Sequence, residues 1–205
     1  FGILLLLVYW LLKHEIPGIQ RPKFRESLGI FALGLLFGLF PSLHKAVFVM
    51  AGLVLFCLFL FFKKLRLQIS LICLIGLICA FPQLYFTNQL SAQTQSSISF
   101  YPGYLVYGEG LLAFLRHWLW NLGLNVFLIP VGFFLAPRQA KKIFLAFFSL
   151  FVIANLFKFS PEISANHKFF NLFIIVGNMF SAYALYRIYA GRCHSEASAE
   201  ESLGL

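Results

Sequence analysis

AVFVMAGLVLFCLFLFFKKLR, residues Ala46 to Arg66, decides the fold: an uninterrupted apolar run ends at Phe62, and Lys63, Lys64 and Arg66 follow at once. A run of this kind reads as a helix built for a hydrocarbon solvent, and the cations behind it mark the return to water. Working outward, further apolar runs occupy 1–12, 27–43, 67–84, 119–136, 143–157 and 169–190. With 60% hydrophobic residues, 11% charged residues and a mean hydropathy of +0.86, a soluble domain is excluded. No alternating pattern suggests a barrel. The expected fold is therefore all-α, a polytopic transmembrane helix bundle.

The gaps between the runs sort by charge. Lys13, Arg21, Lys23 and Arg25, then Lys63, Lys64 and Arg66, then Arg138, Lys141 and Lys142, then Arg187 and Arg192 fall on one side, twelve of the sixteen basic residues. The positive-inside rule makes that side cytoplasmic and puts the carboxy terminus there. The other side receives the turn at 42–45, the long loop 83–118 and the segment 158–168, with only Lys45, Arg116, Lys158 and Lys168. The net charge of +9 is scattered beside apolar spans, so the expected partners are membrane lipids and not nucleic acid. Cys57, Cys73 and Cys79 lie inside apolar runs without metal or disulfide spacing.

Pro41, Ser42, His44 and Lys45 predict a tight turn joining two short spans into a hairpin. From Gly110 to Trp120, the residues Leu111, Phe114, Leu115, Trp118 and Leu119 recur at helical spacing, while Ala113, His117 and Asn121 form a separate row. This predicts an amphipathic helix in the outer interface, before the chain enters the membrane near Leu119. Residues 1–12 are too few for a layer that takes about 20 helical residues, and no signal-peptide pattern is present. The expectation is one membrane domain over 1–192, with about six full transmembrane helices plus a truncated first one, and a disordered polar tail over 193–205.

Three polar groups stand on the outer side: His44 with Lys45; Tyr101, Tyr104, Glu109, Arg116, His117 and Asn121; and Asn166, His167 and Lys168, continued by Asn171 and Asn178 on one helix face. Ammonium, guanidinium and carboxamide groups at a membrane surface suit a phosphate or diphosphate. Tyr and Trp there offer faces to sugar rings or isoprenoid tails, and equally form an interfacial aromatic belt. Lys158 and Glu162 equally read as an exposed ion pair, and Asn171 and Asn178 as bridges between helices. No carboxylate or cysteine stands at ligand spacing from His44 or His117, so no metal site is read.

Taken together, GLLFGLFPSLHKAVF (Gly34–Phe48), YPGYL (Tyr101–Leu105), WLWNLGLNVFLIPVGFF (Trp118–Phe134) and NLFKFSPEISANHKFFNLFIIVGNMFSAYAL (Asn155–Leu185) resemble a family of bacterial polytopic membrane proteins related to the GT-C glycosyltransferases. The resemblance implies an inner-membrane enzyme that takes a sugar from a polyprenyl-phosphate carrier and transfers it on the extracytoplasmic side. It implies Lys168, His167, Asn166 and Arg116, with His117, His44 and Asn171, on the phosphate, and Glu109 or Glu162 as acid or base. Where members carry an acid before the Asn of the last loop, this chain has Ala165, with Glu162 nearest. The principal catalytic acid of GT-C enzymes lies in a first outer loop, expected upstream of this chain, so the fragment alone is expected to be inactive. No cofactor is read from the sequence, and a divalent metal requirement stays open. Two other classes fit the residues: a transporter or flippase for a lipid or anionic solute, and a non-catalytic membrane scaffold. Against transport stand the lack of an internal repeat and of a mid-span acid.

Overall fold

The structure, a computed structural model, describes residues 2–13, 23–90, 98–159 and 162–203. It is mostly helical. In chain order the helices are α1 (Gly2–Lys13), α2 (Lys23–Gly38), the one-turn α3 (Phe40–Leu43), α4 (Lys45–Phe61), α5 (Arg66–Leu90), α6 (Leu111–Leu122), α7 (Asn125–Leu135), α8 (Arg138–Leu156) and α9 (His167–Leu203). The only strands among the described residues are β1 (Ser99–Phe100) and β2 (Phe157–Lys158), paired antiparallel with Ser99 opposite Lys158. Arg21 and the loop residues 91–97 lie outside the described residues.

α2 runs along α5, α4 packs on α8, and α8 and α7 both pack on α9. Side chains such as Met50, Leu55, Ile72, Phe147, Leu150 and Leu172 are sealed between them. The outside of the bundle is apolar as well, with Phe81 71% and Phe134 74% exposed. In water such a surface is unstable; against lipid chains it costs nothing. Glycines set the closest approaches. A side chain at Gly34 would stand 2.7 Å from Ile75 Cβ, and one at Gly132 on α7 would meet the Phe180 carbonyl of α9.

The stretches Lys63–Phe86, Arg138–Leu156 and Ile163–Ala190 are long and apolar enough to cross a membrane, consistent with an integral membrane protein. Among the described residues three helices meet that measure of length and hydropathy, or four if α6 and α7 form one broken span. Ser27–Leu43 and Lys45–Phe61 are shorter apolar helices. Their 17 residues rise about 25 Å, against a hydrocarbon layer of roughly 30 Å. The continuous span expected at 119–136 is broken at Gly123 and Leu124, where the chain bends by 80°. Gly123 takes φ 54°, a left-handed conformation that a β-carbon disfavours, so the helix ends where glycine allows it to turn.

At the basic end of the bundle three cations each donate to a carbonyl at the end of a helix: Arg66 Nε to Phe59 O (3.0 Å), Lys142 Nζ to Phe61 O (3.0 Å) and Lys141 Nζ to Phe134 O (2.9 Å). The last carbonyls of α4 and α7 have no intrahelical donors, and a cation both bonds them and complements the helix dipole. At the carboxy end, α9 continues to Leu203.

Candidate functional site

The end of the bundle opposite Arg66 and Lys142 gathers the polar loops, and a buried amide holds them there. Asn155, near the end of α8, accepts from the Trp118 indole N–H at Oδ1 (3.0 Å) and donates from Nδ2 to Phe151 O (2.9 Å). Its own carbonyl accepts from Gly103 N–H (2.8 Å), and Leu156 O from Tyr101 N–H (2.8 Å). The Tyr-Pro-Gly-Tyr segment is thereby tied to α8 as α6 is. Gly103 takes φ 107°, which glycine adopts freely, and Tyr104 φ 56°, uncommon for a residue with a side chain, and the Tyr104 ring lies inward. There it lies 4.7 Å from the Phe170 ring, which is 4.6 Å from Trp118. Burial raises the Tyr104 hydroxyl above its ordinary pKa.

Asn166 is the second internal tie. It is 1% exposed, and its Nδ2 donates to Ala154 O (2.9 Å) and Phe157 O (2.6 Å). The loop after α8 is folded back by this amide and delivers His167 and Lys168 to the start of α9. His167 is exposed, and its Nδ1–H donates to Ser164 O (2.8 Å), because a carbonyl can only accept. Glu162 is exposed and forms no ion pair with Lys158, whose ammonium lies 5.9 Å from the Tyr101 ring centre instead.

Lys168 reaches across the bundle to His44. The two residues are 124 positions apart, and Lys168 Nζ sits in direct contact with His44 Nε2. His44 is the cap of α4, and its Nδ1 accepts from Ala46 N–H (3.2 Å). A neutral imidazole has one lone pair in the ring plane. An ammonium only donates, so the two contacts compete for that lone pair: Nε2 accepts when Lys168 donates, and Nδ1 accepts when the ring caps Ala46 N–H. Burial first, then the Lys168 charge, lowers the His44 pKa, which keeps the ring from adding a second cation. Both residues stand at helix starts, where the dipole is positive, and among the described residues no carboxylate pairs with either. The arrangement is a cation-bearing histidine–lysine pair that no carboxylate among the described residues neutralises.

α6 separates two further spaces. On one face Phe114, Trp118 and Leu122 meet Ile129, Phe148 and Phe173 around an apolar hollow of about 640 Å³ in the elbow between α6 and α7. On the other face Glu109, Arg116, His117, Trp120 and Asn121 line an open cleft of about 510 Å³. Asn121 Nδ2 donates to His117 O (2.7 Å). Below the bend, Asn125 Nδ2 donates to Asn178 Oδ1 (3.2 Å), joining α7 to α9.

The structure thus divides the candidate residues. His44 and Lys168 come together; Glu109, Arg116 and His117 share a separate cleft; Asn166 is an internal staple; Asn171 is exposed on α9 without a hydrogen-bond partner; Glu162 joins neither group. Trp118 and Tyr104, candidates for an interfacial belt, are buried, at 7% exposed each. Asn155 and Asn125 escaped the sequence reading; a lone Asn inside an apolar run was the available signal, since it needs a partner there. Among the described residues no three His, Cys, Asp or Glu side chains converge to hold a metal ion. What fold and site define is a helical protein with several candidate membrane spans and a polar, cation-bearing end. No family model, curated protein or solved structure matches the chain.

Proposed function

We propose that this chain belongs to a membrane glycosyltransferase-like protein that uses a polyprenyl-phosphate-linked sugar on the extracytoplasmic side, and that His44 and Lys168 receive the phosphate. The observation that supports this reading is their contact: Lys168 Nζ meets His44 Nε2 at the starts of two helices, and an anion seated beside them accepts from the ammonium N–H groups that His44 does not use. Two helix starts add positive potential at the same place. Leaving-group phosphate in a transfer reaction gains negative charge as the sugar departs, and fixed donors of this kind stabilise it. The apolar hollow beside α6 offers a chain of the same amphiphile a surface free of polar groups except at Asn125.

A second reading has its own support. The 80° break between α6 and α7, with an amide pair just below it, is the broken-helix geometry that transporters use around a substrate. One experiment separates the two. The protein in liposomes, with whatever flanking sequence its gene supplies, is given labelled polyprenyl-phosphate sugars. Transfer to an acceptor that is lost in Lys168→Ala and partly restored in Lys168→Arg supports the transferase. Movement of the lipid between leaflets without transfer supports the transporter and refutes the first reading.

A further inference from the structure

We propose that the cleft formed by Glu109, Arg116, His117, Trp120 and Asn121 is a saccharide subsite that takes a pyranose ring with neighbouring hydroxyl groups. The argument begins with Trp120. An indole that anchors a helix in lipid belongs on the apolar face of α6, with Phe114, Leu115 and Leu119. Trp120 is on the opposite face, among Arg116, His117 and Asn121, and is 76% exposed. A large apolar ring held out toward polar groups is costly unless something flat and partly apolar covers it. A pyranose is such a body: its C–H face stacks on an aromatic ring while its hydroxyls point to the sides.

The rest of the lining supplies partners for those hydroxyls. Glu109 and Arg116 line one cleft, yet the carboxylate and the guanidinium form no ion pair or hydrogen bond with each other or with another described residue. A carboxylate accepts from two hydroxyls and a guanidinium donates in a fork, so both fit adjacent oxygens of a sugar. Asn121 spends its amide N–H on the His117 carbonyl, and its Oδ1 stays available as an acceptor. Competing ligands fit less well. A phosphate at Arg116 has to share the cleft with the Glu109 carboxylate; a metal ion finds one carboxylate only; a purely apolar ligand leaves the polar groups unpaired. The volume of about 510 Å³ lies within the range for small-molecule sites, roughly 300–1,000 Å³. The inference deepens the transferase reading by giving a sugar a place, but its grounds are the chemistry of this cleft.

The test is saccharide binding to the full chain in lipid nanodiscs, which avoids glycosidic detergents. Saturation-transfer NMR is recorded with methyl β-glucopyranoside, methyl α-mannopyranoside and methyl N-acetyl-β-glucosaminide, and with inorganic phosphate by 31P line broadening. Saturable binding of at least one glycoside is expected. Trp120→Ala weakens it at least about tenfold, equivalent to roughly 1.4 kcal/mol, and Glu109→Gln about fivefold, because the amide oxygen still accepts but the bond loses its charge. Both side chains are exposed, so melting temperatures stay unchanged. No saturable glycoside signal, an equal signal in Trp120→Ala, or tighter binding of phosphate than of any glycoside overturns the proposal. Glycoside binding by a protein that transfers nothing refutes the transferase reading alone; transfer without glycoside binding in this cleft refutes this inference alone.

Discussion

Replacing Asn155 by Leu tests whether one buried amide holds the polar end of the bundle together. The substitution keeps the number and branching of side-chain heavy atoms but removes the acceptor of the Trp118 N–H and the donor to Phe151 O. Trp118 is 7% exposed, so its N–H stays unsatisfied at a cost of about 1–3 kcal/mol. The lost bond to Phe151 adds little, because that carbonyl already belongs to the helix. Trp118→Phe leaves Asn155 Oδ1 without the indole donor, at a similar cost plus some lost packing. The double variant removes both partners and leaves neither orphan, so its cost falls below the sum of the two, with a coupling of about 1 kcal/mol or more. In thermal unfolding of the protein in nanodiscs, followed by fluorescence, about 2 kcal/mol lowers the melting temperature by roughly 4–8 °C for a chain of this length. Equal and additive shifts for the two singles and the double would refute the reasoning, since the hydrogen bond would then carry no energy of its own.

Gly132→Ala puts a methyl group against the Phe180 backbone, which cannot turn aside, so α7 and α9 must part; a loss of about 1–3 kcal/mol is expected. Gly52→Ala, with open space around it, is expected to be neutral or to gain up to about 1 kcal/mol from helix propensity, and paired melting curves check both. The folded pKa of His44 lies below its ordinary value of 6.5 because of burial and the Lys168 charge, so the stability it contributes is complete above that value and is lost as pH falls through the lowered pKa. Protonation there also adds a charge, so phosphate binding at the His44–Lys168 pair should strengthen on acidification, an effect that isothermal titration should find flattened in His44→Gln. Lys142→Gln keeps a donor at the end of α4 but removes the charge, and a loss of about 0.3–1 kcal/mol is expected, reduced by added salt if the dipole interaction is real.

Local pattern made some of this protein legible in one dimension. The apolar runs announced helices, the tight hairpin turn at His44 followed from Pro41, Ser42 and Lys45, and the two rows on 110–120 gave α6 its opposite faces. Hydropathy and helical spacing are properties of neighbours along the chain, so a sequence carries them without knowledge of the fold. The break at Gly123 was less visible, because apolar residues continue past it and only the backbone conformation shows that the axis turns. The partners of polar residues were not legible at all. Lys168 could have met lipid, water or an acid, and it meets His44 from 124 positions away. Asn166 had the same residue type and loop as the candidate phosphate ligands, yet it is spent on backbone carbonyls. Glu109 and Arg116, close in sequence, already stood in one polar group, and the start of α6 places both in one cleft. The sequence by itself determined which stretches shun water and which end of each is charged; the tertiary structure alone decided which polar group answers which, because in an apolar surrounding that choice depends on which helices become neighbours.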